Sequence, residues 1–240
     1  MNVILEVSVG SHAYGTAVPG DDVDIFGVAV ETATEFIGFS PENEVRTREQ
    51  PAGPDQDVDL HVLGLRSFLI AALNGEPEAM IPLFAPDECV RKIDGGGKSL
   101  RMAATRIVSR RAFRAHIDAM SKQYQDLVGA ASYLDQSLIE KFGYDTRVAA
   151  KIYRTGVQGT ELMRTGRIIY PMTEVERNNC LSIRRGEMSL DGASTLITNI
   201  TTALGDATAT SALPEEPNLA VIEKWMVAMY MYHWASRPKP

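Results

Sequence analysis

The sequence predicts an α+β fold: a small mixed β-sheet with flanking helices, followed by a C-terminal helical domain. Three observations carry this. β-branched apolar runs punctuated by glycine and proline fill the start of the chain. Helical periodicity takes over from about Ser109, and no internal repeat or low-complexity segment interrupts either part. The division is placed at residues 1–106 and 107–240 of the 240, a length that allows one large or two modest domains.

Val3–Val9 (VILEVSV) reads as a buried strand running into a turn at Gly10-Ser11, which suits a helix opening at His12. After the loop Gly15–Asp21, Val23–Val30 (VDIFGVAV) reads as a second strand. Glu42–Gln56 is polar, carries Pro51, Gly53 and Pro54, and is expected to be a loop. Asp57–Leu63 alternates: Val58, Leu60 and Val62 face one way, Asp57, Asp59 and His61 the other. Leu65–Leu73 has helical spacing and stops at Asn74-Gly75, and Pro77–Phe84 reads as another short helix. Further helices are expected near 109–128, 130–141, 145–165 with Asp145 as N-cap, 173–185, 189–204 and 217–234, with a loop from Gly205 to Pro217.

The charge is −7, which argues against an indiscriminate grip on nucleic acid. Residues 1–105 hold 7 Lys+Arg against 17 Asp+Glu, and the remainder 17 against 14. An acidic part followed by a mildly basic one suits a metal-holding half beside a phosphate-holding half. No apolar run reaches the roughly 20 residues of a membrane helix, and the start lacks a basic lead and a cleavage site. Cys89 and Cys180 stand alone, as reduced thiols of a cytoplasmic protein do.

Nucleotidyl transfer needs charge neutralised on a triphosphate, and two divalent ions roughly 3.5–4 Å apart, held by carboxylates, supply it. Asp22 and Asp24 are one residue apart on a strand and so share a face. Asp59, with Asp57 as the alternative, offers a third acid from a neighbouring strand. Upstream, the backbone N–H groups and hydroxyl at Gly10-Ser11 suit a phosphate oxygen. A D-x-D pair by itself is weak. Strand, Gly-Ser, D-x-D on a second strand and an acid on a third form a far more specific pattern.

Gly10-Ser11-His12-Ala13-Tyr14-Gly15 followed by Asp22-Val23-Asp24-Ile25-Phe26-Gly27-Val28 resembles the signature of the DNA polymerase beta-type nucleotidyltransferase superfamily. Within it the chain is most similar to the RNA repair pathway DNA polymerase beta family. Leu65–Leu69 with Asn74-Gly75-Glu76-Pro77, Tyr144–Arg147 with Arg154, and Ile183–Ser189 continue the resemblance. Gly75-Glu76 interrupts the family's Asn-Pro turn, and Lys151 stands where relatives tend to have histidine. The resemblance implies Mg²⁺-dependent (or Mn²⁺-dependent) transfer of a nucleotide from a nucleoside triphosphate. By match to the motif, Asp22 and Asp24 would hold metal and Ser11 would contact triphosphate; Asp59 is taken as the third metal ligand for its mid-strand place, and Gly10, Tyr14, Arg147, Lys151 and Arg154 are the further candidates for binding nucleotide. The acceptor it implies is an RNA, either a tRNA or a broken RNA end. The rival readings are a non-catalytic nucleotide-binding or antitoxin-like module, or a transferase acting on a small molecule or a protein.

Arg147, Lys151 and Arg154 fall at i, i+4 and i+7, on one helical face, for which phosphate binding and plain solvation compete equally. Arg110, Arg111 and Arg114 are read as a surface cluster. Tyr14 suits stacking on a base or filling its own loop. His61 shares a face with Asp59 and is expected to bond a neighbouring carboxylate. His116 and His233 are read as packing or surface. Gly95-Gly96-Gly97-Lys98-Ser99 invites comparison with a P-loop, but position 92 is Lys92 and no buried strand leads in, so it is expected to be a flexible loop. The Met, Trp and Tyr residues of the last helix suit core packing or a homodimer face.

Overall fold

A computed structural model describes residues 1–18, 21–39, 44–49 and 57–236. The first two expected strands are β1 (Asn2–Ser8) and β2 (Val23–Val30), paired antiparallel with Ser8 opposite Ile25. Between them lies α1 (Gly10–Tyr14), closed by Gly15 in the left-handed region. After β2 comes α2 (Ala33–Ile37), held by a capping box in which Thr32 and Glu35 bond each other's backbone. The next strands are β3 (Glu44–Glu49) and β4 (Val58–Gly64). β4 runs parallel to β2, and β3 pairs antiparallel with β4.

β3 corrects the expected loop. Its sequence EVRTRE offers no apolar run, because an edge strand needs only backbone pairing on one side. The rest of that expected loop, residues 42–43 and 50–56, lies outside the described residues. α3 (Leu65–Asn74) ends at Gly75 with φ +77, as Asn-Gly signalled, and α4 is Pro77–Phe84. A short strand, β5 (Val90–Ile93), was not foreseen and extends the sheet to the order β3-β4-β2-β1-β5.

The triple glycine is a second correction. Gly95–Met102 is a helix, α5, whose Asp94 cap accepts the Gly97 N–H at 3.0 Å. The helix crosses β1 so closely that a Cβ at Gly97 would stand 2.2 Å from the Ile4 carbonyl oxygen, whereas one at Gly95 would meet nothing within 4 Å. Gly97→Ala is therefore expected to destabilise by about 1–3 kcal/mol through overpacking. Gly95→Ala should be neutral or mildly stabilising; urea unfolding of the two variants checks the contrast.

After α6 (Ala104–Ile107) the helical part begins: α7 (Arg111–Val128), α8 (Gln136–Phe142), α9 (Thr146–Thr165), α10 (Glu174–Arg184) and α11 (Leu190–Ala209). Asp145 caps α9, accepting the N–H groups of Arg147 and Val148 at 2.9 and 3.1 Å. α11 continues past Gly205, which corrects the loop expected there: Leu204 and Ala207 on either side of it are buried, and that packing carries the helix through. α12 (Leu219–Ala235) packs back on the first part. Trp225 Nε1 donates to Ser99 Oγ at 2.8 Å and Trp234 Nε1 to the Glu31 carbonyl at 2.8 Å. The Tyr230 hydroxyl donates to Glu31 at 2.6 Å, and its phenol is held far above the usual range, first by burial and then by that carboxylate. Met231 and Tyr232 face outward. No described helix is long and apolar enough to cross a membrane.

One apolar core runs from Ile4, Leu5 and Val28 on the sheet through Phe68 and Met80 to Ile152, Leu162 and Leu204 in the helices. His116 lies fully buried within it, as expected of a packing residue. Nδ1 is 2.7 Å from the Ala112 carbonyl and Nε2 has no partner, so burial lowers its pKa to about 4 against the weaker opposing pull of that carbonyl. Below pH ~6.5 the unfolded chain takes up a proton that the folded chain refuses until pH ~4. Stability is therefore expected to fall as pH drops through this window, by about 3 kcal/mol in full. Glu161, pushed up to about 7 by burial, acts in the opposite sense over an overlapping range. The difference between the parent and His116→Gln, melted at each pH, isolates the histidine.

Candidate active site

A cavity of about 820 Å³ opens between the sheet and the helical part. One wall is the end of β2 and β4. Their parallel register sets Asp24 opposite Asp59, and both line the cavity. Asp22 precedes β2 by one residue, and the Val23 N–H donates to the Asp57 carbonyl at 2.8 Å, tying the two strand entrances together. Asp57 therefore sits at the entrance of β4, outside the lining residues, while Asp59 is inside.

Gly10 closes this wall. It has φ +66, and a Cβ there would lie 1.9 Å from Asp24 Oδ2, so only glycine lets α1 start against that carboxylate. The Val9 N–H donates to the Asp24 carbonyl at 2.8 Å. Burial raises the Asp24 carboxyl above the usual range, Asp59 and Asp22 add to it, and Arg154 and Lys151 oppose it. Asp24 therefore feels the charge of all four neighbours.

The facing wall is α9. Lys151, Arg154, Thr155 and Gln158 line the cavity, and Ala115, Ala119 and Gln123 of α7 complete that side. Arg154 stacks 4.4 Å from the Tyr14 ring centroid, and Tyr14 stacks on Tyr170 at 5.2 Å. Lys151 Nζ donates to Glu78 Oε1 across the cavity at 3.0 Å. Burial works to raise the Glu78 carboxyl, but Lys151 holds it below the usual range. Tyr14 lies beside Tyr170 and Gln158, yet its hydroxyl completes no hydrogen bond with either. Gln123 Oε1 and Gln158 Nε2 are likewise buried and unpartnered. Such atoms are uncommon and point to a ligand or ordered water.

Of the expected residues, Gly10, Tyr14, Asp24, Asp59, Lys151 and Arg154 line this one cavity. Asp22 and Arg147 do not: Asp22 stands one residue before β2, and Arg147 is exposed and bonds Asp135 at 2.5 Å, a turn of α9 away from the lining. Ser11 is buried on α1 behind the lining surface. His61 Nε2 meets Glu44 at 3.0 Å, the carboxylate partner expected of it. Arg110 and Arg111 pair with Glu215 and Glu216 at the surface, at 3.9 and 3.4 Å. Sequence reasoning missed Glu78, Gln123 and Gln158. Gln158 lies four residues after Arg154 on the same face and was within reach of the helical spacing.

The model of the RNA repair pathway DNA polymerase beta family matches residues 1–228. The chain belongs to this family. Membership bears out the resemblance carried by the Gly-Ser and D-x-D motifs and supports a polymerase beta-like nucleotidyltransferase. The chain is also 31% identical over 97 residues to an uncharacterized 38.9 kDa protein of Enterobacteria phage T4 from the nrdC-mobD intergenic region. That match covers 39% of this chain and 29% of the phage protein, so the chain spans under a third of that relative's length. A nucleotidyltransferase-like protein from Exiguobacterium sibiricum aligns over 100% of this chain and 76% of its own, with 9% identity and a TM-score of 0.32, too distant to argue from.

Among the described residues, no three carboxylate, histidine or cysteine groups already stand in coordinating range. The fit to a divalent cation rests instead on Asp24 and Asp59, paired in register on one cavity wall, with Asp22 close enough for its charge to add to the raising of the Asp24 carboxyl. Oxygen donors of this kind are what Mg²⁺ and Mn²⁺ take.

Proposed function

We propose that the chain moves a nucleoside monophosphate from a nucleoside triphosphate to an acceptor hydroxyl, with Mg²⁺ or Mn²⁺ held by Asp22, Asp24 and Asp59. The observation that carries this is the register pairing of Asp24 with Asp59, beside Gly10, in a cavity whose opposite wall bears Lys151 and Arg154. A bound divalent ion supplies charge neutralisation on the triphosphate and a lowered pKa for the attacking hydroxyl. Lys151 and Arg154 hold phosphate oxygens, and the Gly10-Ser11 backbone presents N–H groups to them. Arg147, engaged with Asp135, is left a minor electrostatic part. Asp59 accepts the proton of the attacking hydroxyl. Tyr14, Gln123 and Gln158 contribute polar atoms that stay unpartnered until a ligand enters.

The family description supports an RNA end as the acceptor. With a charge of −7, RNA is held locally, along the basic side of the cleft, rather than by a broad positive surface. The test is incubation with each α-labelled triphosphate, Mg²⁺ or Mn²⁺, and pools of RNA, DNA and protein. Label is expected on RNA with release of pyrophosphate. Label on protein alone would move the acceptor to a side-chain hydroxyl, and triphosphate binding without pyrophosphate release from any pool would refute transfer.

A further inference from the structure

The loop between α1 and β2 leads through Asp22 into β2, which carries Asp24 to the cavity wall, and α10 lies against the loop. Arg184 forms an ion pair with Asp21, the residue before Asp22, and both side chains are largely buried, at 14% and 11% exposure. Asp21 also turns the loop on itself: its Oδ2 accepts the Val18 N–H at 2.9 Å and its own N–H donates to the Val18 carbonyl at 3.1 Å. At the other end of the loop, Arg177 Cδ stands 3.4 Å from where a Gly15 Cβ would be. Arg177 and Arg184 are seven residues apart, so one face of α10 meets both ends of the loop.

α10 is in turn fastened to α9. Asn179 Nδ2 donates to the Tyr153 hydroxyl at 3.2 Å, Cys180 Sγ lies 3.7 Å from the Ala150 carbonyl, and Ile183 is fully buried. α9 carries Lys151 and Arg154. A continuous chain of contacts therefore joins the cations of one wall to the acids of the other through Arg184 and Asp21.

Asp21-Asp22-Val23-Asp24 offers three acids to a cation, but the first is taken up by a guanidinium and a backbone N–H. We infer that Arg184 and Asp21 are positioning residues that hold Asp22 beside Asp24 and Asp59, whose own register the β2–β4 pairing sets, and keep Asp21 out of the metal site. This rests on the metal reading above. Partners that orient ligating carboxylates characteristically change metal affinity by about 10–100-fold when removed. A lysine keeps the charge but not the planar fork.

The experiment is Mn²⁺ titration of the full chain, following loss of the free-ion electron paramagnetic resonance signal. The parent is compared with Arg184→Met, Arg184→Lys, Asp21→Asn and the double variant Arg184→Met/Asp21→Asn, each also melted without metal. Arg184→Met and Asp21→Asn are each expected to weaken Mn²⁺ by about 10-fold or more, with Arg184→Lys between them and the parent. The double variant should bind no worse than the weaker single, as for two residues acting as a unit. Parent-like binding by Arg184→Met overturns the inference. So does loss confined to Asp21→Asn, which would make Asp21 a ligand, or loss that only tracks the unfolded fraction. A parent chain that binds no Mn²⁺ overturns the metal reading itself, and this inference with it.

Discussion

Asp24→Asn is expected to lower nucleotide transfer by about 10³-fold or more while leaving the chain folded. Charge stabilisation by a divalent ion is worth several kcal/mol at the transition state, and each ~1.4 kcal/mol is tenfold in rate. Asp24 is the acid that both faces Asp59 across the β2–β4 pair and touches Gly10, so it stands at the centre of the cluster. Its carboxyl is raised by burial, Asp59 and Asp22, meaning that the fold tolerates its charge poorly. At neutral pH and without metal, the Asn variant should therefore melt at or above the parent temperature. Adding Mg²⁺ stabilises only a chain that binds it, so the order of the two melting temperatures should reverse. Melting curves with and without Mg²⁺, beside a transfer assay, check both halves. Undiminished transfer by the variant would falsify the assignment of Asp24 as a metal ligand.

What could be read in the sequence follows the range of the interaction. Asp22 and Asp24 share a strand face because side chains alternate, a property of adjacent residues. The polar face of β4 was readable for the same reason, but the register that puts Asp59 opposite Asp24 comes from backbone pairing across a long connection. The basic face of α9 was readable as spacing, yet spacing does not say where along its axis a helix passes the cavity. Lys151 and Arg154 reach the lining and Arg147, a turn earlier, turns to Asp135. Family membership bears out the resemblance and leaves these placements to the packing.

The misreadings share a cause. Glycine has low helix propensity, so Gly95–Gly97 and Gly205 read as loops. The Asp94 cap and the close crossing over β1 overrule that preference in α5, as the burial of Leu204 and Ala207 does in α11. β3 was missed because a polar edge strand has no apolar pattern to find. The link between Arg184 and Asp21 spans most of the chain, and no local pattern connects them.

Gly10→Ala should lower transfer by at least ~10²-fold through the same carboxylate, by a different physical route. A non-glycine residue in the left-handed region costs about 1–2 kcal/mol, and Gly10 has φ +66. That cost alone would leave a folded enzyme. The added methyl, however, would stand 1.9 Å from Asp24 Oδ2, so the carboxylate must swing away from the position it shares with Asp59. Rates fall steeply when a reacting group is misplaced by even ~1 Å. Gly15→Ala separates the two effects: φ is +70, but the nearest atom to its Cβ is Arg177 Cδ at 3.4 Å. Both variants should lose similar stability in urea unfolding, while only Gly10→Ala loses transfer. Equal rates in the two would mean that the Asp24 carboxylate can turn without consequence, which a metal ligand cannot do.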